Sequence, residues 1–223
     1  MPKNTQNRSS RLILLPGKAI LVFLILLVTA SIILVSTHYF TPDFNHGFLT
    51  GKAYLFNGIF PFGLYTHVIA APLLIVLSTV LVFARLEYRF PKAHRFLGKV
   101  VVWVGLVLFI PSSFILAAYA LGGIHGIILF NVLSLLSAVS LCSAWYFARK
   151  RKIPQHRRWM LRFYIFLLSA VFLRVNKFIF GYYFDYHGTE AYLLAALLSW
   201  LPQWLLLEAL FRIKSIRDNR LAL

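Results

Sequence analysis

Four of the seven histidines fall into a pattern. His67, His94, His125 and His156 recur at intervals of 27, 31 and 31 residues, each near the start of a long apolar run. Imidazole is a common ligand for biological metals and for haem iron. If the four runs are consecutive antiparallel helices, His67 and His125 share one end of the bundle, and His94 and His156 share the other. Helices two apart in a four-helix bundle lie diagonally across its core, so each couple could present two ring nitrogens to one iron. The chemistry this spacing suggests is ligation of b-type haem, or a quinone held between paired histidines. The second couple also shares a local frame, Pro91-Lys92-Ala93-His94-Arg95 and Pro154-Gln155-His156-Arg157. Proline suits the first helical turn, and Arg95 and Arg157 could each pair with a haem propionate or a lipid phosphate. His38, His46 and His187 read as polar surface residues.

Arg174 is the other candidate. It stands deep within an apolar run, where a cation faces the bundle interior or snorkels to the interface. Asp185, Glu190, a quinone oxygen or a haem propionate could answer it. Lys177, one turn on, is placed to snorkel, and Glu208 to pair with Arg212 four residues later. Ser112 and Ser113 beside Pro111 are expected to satisfy carbonyls opened by a kink. Other chemistries lack residues. There is no glycine-rich phosphate loop, no H-E-x-x-H, no C-x-x-C-H and, with Cys142 the single cysteine, no disulfide scaffold. The six acidic residues are too scattered for a hydrolase dyad, a calcium site or a proton relay.

The elements that must position these residues lie in the bilayer. Of 223 residues, 60% are hydrophobic and only 13% charged, about half the charged fraction of a soluble chain. Six apolar runs reach the length that crosses a membrane: about 19–36, 64–84, 100–121, 126–147, 159–180 and 191–211. The fold class expected is all-α, a polytopic six-helix bundle. The first run, with a basic head and no small-residue cleavage pattern after it, reads as an uncleaved helix. Residues 1–18 form a basic head, 19–211 the membrane domain and 212–223 a basic tail. Pro72, Pro111 and Pro202 should kink their spans. The segment from Thr37 to Gly63, rich in Phe, Tyr and Leu, should cap the bundle or lie in the interface.

Charge supplies the orientation. Of 23 Lys and Arg, nearly all sit in the N-terminus, the second-to-third and fourth-to-fifth connections and the C-terminus. Cations on alternate short loops predict that both termini are cytoplasmic. The net charge of +17 therefore points to the lipid bilayer, with anionic headgroups at the cytoplasmic face, and not to nucleic acid.

The layout resembles that of the ascorbate-reducible b-type di-haem transmembrane cytochromes, which also carry paired histidines on four consecutive helices of a six-span protein. A closer resemblance in sequence runs from Leu64 to Gly181. It rests on Thr66-His67, His94-Arg95-Phe96-Leu97-Gly98-Lys99, Gly122-Gly123, His156-Arg157-Arg158-Trp159-Met160-Leu161-Arg162 and Leu173-Arg174. These resemble the bacterial predicted membrane proteins grouped as domain of unknown function 2306. That resemblance implies a multi-pass protein of the bacterial inner membrane without an established activity, and its pattern suits His67, His94 and His156 better than His125. Two functions stay open: electron transfer through haem b or quinone, and a non-enzymatic module for transport, sensing or scaffolding with a polar intramembrane cavity.

Overall fold

The computed structural model describes residues 6–45 and 47–220; Lys3 and His46 lie outside the described residues. Among the described residues every regular element is helical, as a bilayer demands of a chain whose backbone groups must be satisfied internally. Six stretches are long and apolar enough to span: Pro16–Phe40, Ile59–Phe83, Pro91–Ala117, Gly123–Arg149, Ile153–Phe184 and Gly188–Asp218.

The elements run as α1 (Gln6–Ser36), α2 (Ile59–Phe83), a short α3 (Leu86–Arg89), α4 (Pro91–Trp103), α5 (Ile110–Ala117), α6 (Gly123–Arg149), α7 (Ile153–Phe184), α8 (Gly188–Leu198) and α9 (Leu201–Arg220). Spans three and six are each assembled from two helices. Between α4 and α5 lies a π-helical stretch, Val104–Phe109. Its cause is Pro111, which lacks an amide proton and crowds the preceding turn, so the helix widens before it. Gly105 sits in that wide stretch because the facing wall is close. A Cβ there would collide with the fully buried Leu141, and the overlap would cost about 1–3 kcal/mol.

Around the core, α2 packs against α5 and α7, and α6 packs against α5 and α7. This is a four-membered ring in which α2 lies diagonal to α6, and the third span diagonal to α7. Helix α1 closes over α2 and α7, and α8 and α9 flank α7. Lipid tails are as apolar as leucine, so close approach holds such helices together and small residues gather at the contacts. Ala70, Ala71, Ser78, Thr79, Ser137, Ser140, Ala144, Ala195 and Ala196 are all buried. The Tyr164 hydroxyl, 2.8 Å from Thr79 Oγ1, ties α7 to α2; Thr79 passes its own proton to the Ile75 carbonyl at 2.7 Å.

The segment between α1 and α2 caps the bundle as expected. Leu49, Phe60 and Leu64 form a second buried cluster with Tyr39, Phe44, Phe48 and Phe56 around it. Lys52 anchors this cap. It is only 8% exposed; its Nζ donates to the Tyr119 carbonyl at 2.9 Å and lies 3.5 Å from the centre of the Phe48 ring. Burial lowers its pKa to about 8. Nothing in the local sequence marks Lys52, since its partner is 67 residues away.

Candidate functional site

A cavity of about 680 Å³ opens within the membrane-spanning region, and all six spans contribute to its wall. Much of the lining is apolar, from side chains such as Leu64, Val68, Ile75, Phe130 and Leu167. The polar part includes His67 and Ser113, Arg174 and Lys177 on α7, the phenols Tyr39 and Tyr192, and five further serines. Among the described residues no carboxylate lines the cavity.

His67 is positioned by the π-helical stretch. Its ring stacks on Phe109, the last residue of that stretch, with 5.2 Å between centroids and 26° between planes. Ser112 and Ser113 each donate to the Phe109 carbonyl, at 2.9 and 2.7 Å; this is not the carbonyl the sequence pointed to, because a proline frees the carbonyl four residues back, here that of Val107. The same two hydroxyls stand 3.5 and 3.3 Å from His67 Nδ1. With both serine protons assigned to Phe109, the tautomer that completes the network carries its proton on Nδ1, shared between the two hydroxyl oxygens, and leaves the Nε2 lone pair free. Among the described residues no protein group is bonded to Nε2.

Arg174 lies within electrostatic reach of His67, Tyr39 and Tyr192. Its hydrogen bond runs to the Ala170 carbonyl one turn back, at 3.3 Å. The expected answer from Asp185 or Glu190 is not made. Asp185 instead engages His187 Nε2 at 3.1 Å. Lys177 does not simply snorkel: its ammonium stands 5.7 Å from the centre of the Tyr192 ring and lines the cavity. Glu208 also departs from expectation. It takes Arg162 as a bidentate partner, with Nε at 2.5 Å and Nη2 at 2.9 Å, and accepts from Trp204 Nε1 at 3.2 Å. That network joins α7 to α9, where the sequence offered Arg212.

The histidine couples fare differently. His125 occupies the expected helix, α6, diagonal to α2, but faces outward and lies off the cavity wall. It does not meet His67. At the other end, His94 on α4 lies within electrostatic reach of His156 on α7, and of Glu87 and Arg157. His94 Nδ1 is buried without a partner, whereas His156 Nδ1 bonds the Ala144 carbonyl at 2.9 Å. Arg157 reaches Glu87 at 3.4 Å, and Arg95 is exposed. Neither His94 nor His156 lines the cavity, and among the described residues no three His, Cys, Asp or Glu side chains are grouped to hold a metal ion.

No curated protein and no solved structure matches the chain. A family model described as "Predicted membrane protein (DUF2306)" matches residues 64–211, from the turn before His67 to the end of the sixth apolar run. The match takes in every helix of the four-membered ring and α8, and with them most of the cavity wall. The chain belongs to this family of membrane proteins, domain of unknown function 2306.

Proposed function

We propose that the protein is a membrane-embedded binding module, acting in transport or sensing, for an amphipathic ligand whose head carries an acidic oxygen. The observation that carries this reading is a cavity of about 680 Å³ with an apolar wall, two cations and no carboxylate. That size suits a small organic ligand. An arginine at this depth without a countercharge is costly in a bilayer, and an anionic head would satisfy it. Arg174 supplies the charged donors, His67 an imidazole nitrogen, and the apolar wall takes the tail. With the basic loops in the cytoplasm of a bacterial cell, the cap of residues 37–58 faces outward and the cavity lies in the outer half of the inner membrane.

The test is equilibrium binding of labelled decanoate to the full chain in nanodiscs of zwitterionic lipid. The expected result is saturable binding that weakens about tenfold or more in Arg174→Gln, since a charge-assisted hydrogen bond is worth roughly 1.5–3 kcal/mol. Binding that Arg174→Gln leaves untouched would overturn the reading.

The redox alternative retains one supporting observation, the proximity of His94 and His156 across the bundle, with Arg95 and Arg157 next to them in sequence. In that reading the two imidazoles hold a haem b at the basic end, and the cavity at the other end holds a quinone. Its readout is a Soret band in protein expressed with ample haem, abolished by His94→Ala and by His156→Ala.

A further inference from the structure

Beside the cavity, and sharing lining residues with it, lies a smaller hollow of about 320 Å³. The hollow lies between the end of α7 and the start of α8, walled by Phe180, Tyr186, His187 and Thr189. Three residues, Leu121, Lys177 and Tyr192, line both spaces. Lys177 carries the only charge among the three, and its ammonium stands 5.7 Å from the Tyr192 ring centre. Such a contact is worth about 0.5–1 kcal/mol where solvated, so the flexible lysine stem can leave it at little cost.

Among the described residues that line the hollow, Lys177 is the charged one; Glu190 and Asp185, the carboxylates nearest in sequence, do not line it, and the Asp185 side chain is 97% exposed beside His187. Lys177 and Arg174 stand one turn apart on α7, about 4.5 Å along the axis. A negatively charged head entering the hollow would thus meet Lys177 first and Arg174 one step deeper. The frame around this step is braced. Asn176 Nδ2 donates to the Ala195 carbonyl at 3.1 Å, linking α7 to α8. The His187 ring packs on Gly181, where a Cβ would come within 3.0 Å of Cε1. Side-chain motion at Lys177 and Tyr192 can open the wall without moving the helices.

We propose that the hollow is the entry vestibule for the acidic-headed ligand, and that Lys177, Tyr192 and Leu121 form the gate that hands its head to Arg174. This deepens, and rests on, the ligand reading above. Lys177 acts on arrival and Arg174 on residence, so their removal affects different rate constants.

The experiment is stopped-flow binding of a fluorescent polyene carboxylate, and of the corresponding alcohol, to the full chain in nanodiscs. Lys177→Gln should slow association of the carboxylate at least about tenfold, the low end of electrostatic focusing in a charged cleft, and leave the alcohol unchanged. A second arm places Thr189→Cys in a Cys142→Ser background; Cys142 faces outward. Reaction with a bulky, uncharged thiol reagent should slow both association and dissociation by a similar factor and leave the equilibrium constant intact. Unchanged rates in both arms, with binding intact, mean that the ligand enters sideways from the bilayer and overturn the route alone. Absence of any binding by the unaltered protein overturns the ligand reading, and the route with it.

Discussion

Ser113 Oγ lies 3.3 Å from His67 Nδ1 while giving its own proton to the Phe109 carbonyl at 2.7 Å. One hydroxyl thereby bonds back to its own helix and supports the assignment of the imidazole tautomer in which Nε2 is an acceptor. A ligand with a hydroxyl beside its acidic group should use that lone pair. We predict that 2-hydroxydecanoate binds about fivefold more tightly than decanoate, the worth of one ordinary hydrogen bond near 1 kcal/mol. In His67→Phe, which keeps the ring stacked on Phe109, the preference should vanish. Titration calorimetry gives both constants, and equal affinities in the unaltered protein would sink the tautomer assignment.

Arg174 should illustrate the tension between stability and function. Without ligand its guanidinium has one hydrogen bond, to Ala170, and no ion pair among the described residues. Arg174→Leu is therefore expected to raise the thermal midpoint by about 2–4 °C, corresponding to roughly 1 kcal/mol for a chain of this size, while abolishing carboxylate binding. A scan of tryptophan fluorescence on ligand-free protein checks the first part. A lowered midpoint would show that the cation stabilises the empty bundle.

The Arg162–Glu208 pair should behave as a unit. Both side chains are mostly buried, at 17% and 28% exposure, so removing one leaves the other uncompensated. Glu208→Leu alone should cost about 1–3 kcal/mol, the range for a buried polar group left without its partner. The double variant Arg162→Leu with Glu208→Leu should recover most of that loss. Additive losses in the four-member cycle would show that the two residues act independently.

Lys52 gives a pH dependence of known sign. Its pKa is near 8 in the folded protein and near 10.4 in an unfolded chain. Below pH 8 both states hold the proton and stability is flat. Between about pH 8 and pH 10.4 the unfolded state binds the proton and the folded state does not, so the contribution of Lys52 to stability rises with pH. Tyrosines and other lysines titrate over the same range. The informative quantity is therefore the difference in thermal midpoint between the unaltered protein and Lys52→Met, which should shift in favour of the unaltered protein from pH 7.5 to pH 10. A difference that stays constant would refute the burial of a titrating lysine in the cap.

Local features were legible in the chain. That Ser112 and Ser113 bond a carbonyl of their own helix follows from their type, since a helical serine hydroxyl reaches three or four residues back; that the carbonyl is Phe109's, and not the one Pro111 frees, did not. The capping role of residues 37–63 follows from their aromatic content. Long-range partnerships were not legible in the same way. Glu208 had Arg212 one turn away, yet bonds Arg162, 46 residues distant, because a partly buried carboxylate gains more from a bidentate fork inside the bundle than from an exposed neighbour. Arg174 had Asp185 and Glu190 near in sequence, but α7 carries it to face the cavity, where there is no acid.

Length, apolarity and the placement of cations determined the number of spans and the expected orientation. Those properties act segment by segment, because a bilayer obliges each crossing segment to satisfy its own backbone bonds. Which side of each helix faces inward was decided only by the packing. Lipid tails and a protein core are equally apolar, so hydropathy barely distinguishes them. His67 and His125 open their helices in the same manner; helix packing placed one on the cavity wall, stacked on Phe109, and left the other exposed. The site is accordingly a cluster of His67, Ser113, Arg174 and Lys177 drawn from three spans, a grouping that no spacing along the chain contains.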